Sequence, residues 1–241
     1  MLSRHESVAD SAASVAFLLD VDNTLLDNDR FAADLGDTLL QAFGADARDR
    51  YWAIYARLRD QLGYADYLGA LQHFREGLDN DPSLLQMSKY LLEYPFAERL
   101  YPHALETIAH LRTLGPAAIL SDGDVVFQPR KIQRAGLWDA LRGEVLIYLH
   151  KQRMLVAMQQ RYPAAHYVMI DDKPHVLAEM KQRLGQRLTT VFVQQGHYAA
   201  EAANETIDPA PDITIACIGD LRGRKLADFL QDAPVISLPA G

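Results

Sequence analysis

Short apolar runs rich in β-branched or aromatic residues alternate along most of this chain with segments of helical period. That is the pattern of a parallel sheet whose strands are joined by crossover helices. The runs that read as strands are Val15 to Val21, Ala117 to Ser121, Glu144 to Leu149, Tyr167 to Asp171, Thr189 to Val193 and Ile213 to Cys217. Between them, Pro102 to Leu114 places Leu105, Ile108, Ala109 and Leu111 on one side of a helix, with Gly115 as its stop. Further helices are expected after Pro129, Lys151 and Pro174, because the first amides of a helix have no intrahelical partner and proline loses little there. The expected class is α/β.

One region breaks the alternation. From about Asp27 to Glu98 no strand pattern appears, and four helical stretches are predicted near 30–43, 46–62, 66–78 and 83–94. This reads as an all-helical insertion after the first strand, with its aromatic residues mostly needed for a core of its own. Residues 1–14 and 232–241 are small, polar or proline-containing and are expected to be a loose leader and tail.

Composition then narrows the classes of function. A hydrophobic fraction of 49% and a charged fraction of 23% are those of an ordinary folded protein, and 241 residues give ample core. The formal charge of -8 argues against a nucleic-acid partner or an anionic membrane surface, while leaving a small anionic ligand open, since local charge governs a pocket. The single cysteine, Cys217, excludes an internal disulfide and reads as a small apolar residue of the last strand. With no signal-like N-terminal run and no stretch of membrane-spanning length, the expectation is a cytoplasmic protein, monomeric or homodimeric.

The strongest chemical signal is Phe17-Leu18-Leu19-Asp20-Val21-Asp22-Asn23-Thr24-Leu25. Carboxylates at i and i+2 of a strand point the same way, and here they stand at its C-terminal end, where α/β sheets place ligands. Like charges this close are costly unless a cation or shared proton relieves them, and Mg²⁺ is a natural oxygen-loving relief. Alone, the motif is equally a strand-end turn. Three further strand ends add to it: Ser121-Asp122-Gly123, a hydroxyl and glycine suited to phosphate; Lys151 after Val145 to Leu149; and Asp171-Asp172-Lys173 after Val168 to Ile170. Each has a plain alternative, respectively an ordinary strand end, a surface lysine and a helix cap.

These four elements, in this order, resemble the signature motifs of the haloacid dehalogenase superfamily in its phosphatase-like majority, over roughly residues 15 to 217. The resemblance implies a Rossmann-like three-layer core over 15–26 and 99–231, and a helical cap over 27–98. Tyr101-Pro102-His103 resembles the return into the core. It further implies Asp20 as nucleophile, Asp22 as acid and base, and Lys151 as a third catalytic residue. Ser121, Asp122, Gly123 and Thr24 are then substrate-binding, with Thr24 holding the loop. Mg²⁺ is implied on Asp20, Asp22 through its backbone carbonyl, and the Asp171/Asp172 pair.

The substrate would be a small phosphorylated molecule, with the cap choosing the leaving group; Arg57, Arg59, Gln61, Tyr64, His73 and Arg75 are its polar or aromatic candidates. Asn23 is read as a turn residue tolerating an unusual backbone. The chain departs from the usual pattern at Asp122, where asparagine is common, after Lys151, where proline-aspartate is missing, and at Lys173, often a small residue. A carbon–halogen hydrolase would keep the nucleophile but need neither Asp22 nor the metal. A phosphomutase or phosphotransferase would use the same residues with another acceptor, and a silent binding module would keep only the fold.

Overall fold

Val15 to Leu19 is apolar without alternation because both faces of that strand are covered, as a central parallel strand requires. The structure, a computed structural model, describes residues 13–78, 81–202 and 205–230. Its sheet has six strands: β1 (Ala13–Leu19), β2 (Ala117–Asp122), β3 (Val145–Tyr148), β4 (Ala164–Asp171), β5 (Leu188–Val193) and β6 (Ile213–Ile215), in the order β3-β2-β1-β4-β5-β6. Every pairing is parallel. Val15, Phe17 and Leu19 join one core cluster, and Ala16 and Leu18 the other, so helices pack on both faces and the core has three layers.

After β1 the chain runs through α1 (Asn28–Phe43), α2 (Ala45–Leu62), α3 (Tyr67–Phe74) and α4 (Ser83–Glu93) before α5 (Ala104–Leu114) returns it to the sheet. This is the helical cap. Two crossings joined by a Leu26–Leu100 bridge connect it to the core, with Asp27 N donating to Arg99 O at 2.7 Å and Tyr101 N to Leu25 O at 2.9 Å. Its helices match the predicted stretches, except that α3 stops at Phe74, four residues short of the expected end. The remaining helices are α6 (Phe127–Arg134), α7 (Leu137–Ala140), α8 (Leu155–Arg161), α9 (Pro174–Leu184) and α10 (Gly196–Ala202).

Several boundaries differ from expectation. The leader expected over 1–14 lies outside the described residues except for Ala13 and Ser14, which belong to β1, and the tail over 232–241 lies outside them altogether. β4 begins at Ala164 rather than Tyr167; Ala164, Ala165 and His166 have weak strand character, but pairing with β1 recruits them and His166 bonds Thr189 at 2.8 Å. β6 ends at Ile215, because Asp220 captures the amides of Ala216 and Cys217 at 3.1 Å and turns the chain. Cys217 is therefore exposed beyond the strand, not a packed strand residue. The helix expected after Pro129 starts before it, at Phe127, with proline in its first turn. Lys151 opens only a short 3-10 turn to Arg153, and α8 follows. At Gly115 a side chain is excluded, since a Cβ would stand 2.5 Å from Val15 O.

Candidate active site

Strand register assembles the site. Leu19 pairs with Ile170, and the Asp20 amide donates to Ile170 O at 3.0 Å, so the next residues, Asp20 and Asp171, emerge side by side. The chain turns to β2 on one side of β1 and to β4 on the other, which makes this edge a switch point where α/β sheets open a crevice. Carboxyl oxygens of Asp20, Asp171 and Asp172 lie within 4.8 Å of one another, all three residues buried.

Lys151 is wholly buried, and its Nζ sits 2.5 Å from Asp20 Oδ1 and 2.7 Å from Asp171 Oδ2. The expected surface alternative does not apply to it. Asp171 Oδ1 accepts the Lys173 amide at 2.9 Å, while its Oδ2 has the Lys151 ammonium beside it as an ion pair but no hydrogen bond of good geometry. Asp20 Oδ2, Asp171 Oδ2 and both oxygens of Asp172 are buried with no hydrogen-bond partner among the described residues. Buried oxygens in that state are costly, and a hard cation is what such a donor set fits.

Burial pushes the Asp20 carboxyl up to about 7, against the pull of Lys151 and with added repulsion from Asp171. Burial likewise holds Asp172 well above the usual carboxylate range, helped by Asp171 and Asp20. For Lys151, burial works to lower its pKa, but Asp171 and Asp20 together outweigh it and hold it above the ordinary lysine value.

Asp22 points elsewhere. Its Oδ1 lies 2.7 Å from Lys131 Nζ, and its Oδ2 accepts from Gln128 Nε2 at 3.3 Å, so the side chain stands outside the three-carboxylate group. Gln128 Nε2 also donates to Ser121 Oγ at 3.0 Å. Asp122 Oδ1 accepts the Lys151 amide at 2.7 Å, which fixes the lysine loop against β2. The Gly123 amide is committed to Tyr148 O at 3.0 Å; what Gly123 supplies is clearance, since a Cβ there would meet Gln128 at 2.8 Å. Thr24 is buried, and its hydroxyl has no partner among the described residues. Asn23 does take the unusual backbone expected of it, at φ 57°, and its Oδ1 accepts the amides of Asn28 and Asp29 at the start of α1.

Sequence reasoning missed Lys131, Gln128 and Gln195. Gln195 Nε2 donates to Thr24 O at 3.1 Å, and its Oε1 accepts the Ile218 amide at 2.7 Å, tying down the loop after Asp20. Gln128 and Lys131 are spaced three apart on the buried face of α6 with Phe127 and Ile132, and that interruption of an apolar face was the available signal. A cavity of about 220 Å³ opens between core and cap. Asp22, Asp122 and Lys173 line its floor, and Tyr55, Arg59 and Tyr64 are among its cap residues. Of the cap candidates, Arg59 and Tyr64 line this cavity; Arg57, Gln61, His73 and Arg75 do not.

Residues 15–185 match the family model of haloacid dehalogenase-like hydrolases. Among solved structures, the chain is 54% identical to one described as a haloacid dehalogenase-like hydrolase from Burkholderia xenovorans, with 88% of this chain and 99% of that one covered and a TM-score of 0.82. The L-2-haloacid dehalogenase of Xanthobacter autotrophicus shares the fold at 19% identity, 86% and 96% coverage and a TM-score of 0.56. So does the HAD-hydrolase YfnB of Bacillus subtilis, solved bound to magnesium, at 15% identity, 90% and 99% coverage and a TM-score of 0.59. No curated protein matches the chain.

Proposed function

The chain belongs to the haloacid dehalogenase-like hydrolases, and from that premise we propose that it is a magnesium-dependent phosphohydrolase acting on a small molecule through an aspartyl-phosphate at Asp20. The supporting observation is a cluster of buried carboxylate oxygens on three acids: Asp20 Oδ2, Asp171 Oδ2 and both Asp172 oxygens have no hydrogen-bond partner among the described residues, with the Lys151 ammonium 2.7 Å from Asp171 Oδ2 as an ion pair. A dehalogenase has no use for a donor set of this kind, nor for a second acid two residues after the nucleophile.

In this reading Asp20 and Asp172, with the Asp22 carbonyl, would hold Mg²⁺, and Asp171 would orient Lys151. When bound, the ion supplies positive charge that offsets the repulsion between a carboxylate and an incoming phosphate dianion. Asp20, steadied at Oδ1 by Lys151, attacks phosphorus in line with the leaving oxygen, forming one P–O bond as the other breaks. Asp22 gives that leaving oxygen a proton and then takes one from the water that hydrolyses the acyl phosphate. Lys151 places its charge beside the transferring group, and Ser121 and Thr24 offer hydroxyls to its oxygens. The Asp122 carboxylate serves indirectly, through its hold on the Lys151 amide.

In this reading the crossings at Leu26 and Leu100 serve as a hinge between a cap of residues 27–98 and a core of 15–26 with 99–231. The leaving group would lie in the cavity against Arg59, Tyr55 and Tyr64. A magnesium-supplemented screen of phosphorylated metabolites tests the reading. Turnover should vanish with a chelator and fall by at least about a thousandfold in Asp20→Asn. Chelator-insensitive turnover of a 2-haloacid would replace this reading with the halogen one.

A further inference from the structure

Lys131 is 1% exposed, and the mechanism above does not use it. Its ammonium bonds Asp22 Oδ1 at 2.7 Å and Asn28 Oδ1 at 3.0 Å. Around it stand the rings of Phe31, Tyr67, Phe96 and Phe127, with centroids 5.9, 5.8, 5.9 and 5.4 Å away. Ring faces at that range attract a cation and lessen its desolvation cost. Three of the rings (Phe31, Tyr67 and Phe96) and Asn28 belong to the cap, while Lys131 and Phe127 come from α6 and Asp22 from the loop after β1.

We propose that Lys131 is a positioning residue: it sets where the Asp22 carboxylate stands and ties that position to the seating of the cap. The proposal rests on Asp22 being the leaving-group acid. A buried ion pair is a poor source of net stability, so packing alone gives little reason for a charge inside an aromatic cage. Geometry gives one. Asn28 is the first residue of α1, and its Nδ2 also donates to Tyr67 Oη at 3.2 Å. A cap that shifts about the hinge therefore shifts one of the two oxygens that fix the ammonium, and the ammonium is the closer of the two groups gripping Asp22. Gln128, at 3.3 Å, is the other.

The test compares p-nitrophenyl phosphate, whose leaving group needs little protonation, with 2-phenylethyl phosphate, whose alkoxide needs a proton. Lys131→Met preserves the volume inside the cage and removes the charge. Its loss of kcat on the alkyl ester should exceed its loss on the aryl ester by about tenfold or more. In an Asp22→Asn background, the same substitution should cost the alkyl ester no more than about a further twofold, because the group it acts through is gone. Lys131→Gln, which keeps a donor, should show the same order with a smaller gap and serves if the methionine variant does not fold. Equal losses on both esters, or losses that multiply across the two backgrounds, would make Lys131 merely structural and overturn the proposal. An active parent with that result overturns this inference alone; a parent inactive on both esters with Mg²⁺ removes the phosphohydrolase reading with it.

Discussion

Asp172 presents both carboxyl oxygens to a buried space without a partner, beside two other buried acids. Its proton affinity is raised by that burial, and that of Asp20 rises to about 7 for the same reason. For an acid, a raised folded-state value means the folded protein binds the proton more tightly than the unfolded chain does. The stability linked to these two groups is then fully present below the ordinary carboxylate range and is lost as pH rises through their raised values, about 7 for Asp20. Metal-free Asp172→Asn should accordingly melt above the metal-free parent, with the gap widening as pH rises above the ordinary carboxylate range. Added Mg²⁺ should raise the parent's midpoint more than the variant's. Thermal melts with and without chelator check both statements, and a variant no more stable than the parent at the higher pH would mean that Asp172 does not bear the buried charge. Asp20, Asp22 and the Asp171/Asp172 pair were legible as residues because acids ending apolar strands stand out. Lys131 and Gln128 left only the interruption of an apolar face, which on a short helix looks like a solvated face until the partner packed on it is known.

At the scale of elements, the cap touches the core at one point where a side chain would be expensive. Gly63 ends α2 at φ +80°, and a Cβ there would lie 2.4 Å from His150, the residue before Lys151. Gly63→Ala should cost roughly 1–2 kcal/mol for the left-handed backbone alone. It should also push the end of α2 away from the lysine loop. The measurable result is a melting point lower by a few degrees and a raised KM with a smaller change in kcat, because Gly63 lines the cavity rather than the reacting atoms. An unchanged KM would show that this contact does not set the fit of the cap. The strands were readable because burial on both faces makes them continuous apolar runs. The element that escaped was α10, whose small and polar residues carry no apolar stripe; it brings His197 to Asp29 of α1, with Nδ1 2.6 Å from Oδ1.

For the whole molecule, the formal charge of -8 coexists with a site where Lys131, Lys151 and Lys173 converge. The field at long range repels polyanions, and Lys131 and Lys151 are paired with carboxylates of the same site. Neither duplex nor single-stranded nucleic acid should inhibit turnover or be retained at about 0.15 M salt, where exposed charges farther apart than about 8 Å are screened. A gel-shift and inhibition assay decides it, and retention by the protein would contradict the charge argument. Among the described residues, no helix is long and apolar enough to cross a membrane. Local pattern was enough to determine the alternation of strands and helices, the helical insertion and the acids at strand ends, because periodicity and strand-end chemistry are properties of contiguous residues. That three acids bring unpartnered oxygens together, where Asp22 turns, and which buried lysine holds it were decided only by the packing of β1, β4, α1 and α6 against one another. The contacts of Lys131 with Asp22 and of Lys151 with Asp20 join residues 109 and 131 positions apart, and hydrogen-bond geometry at that separation leaves no periodic trace in a chain.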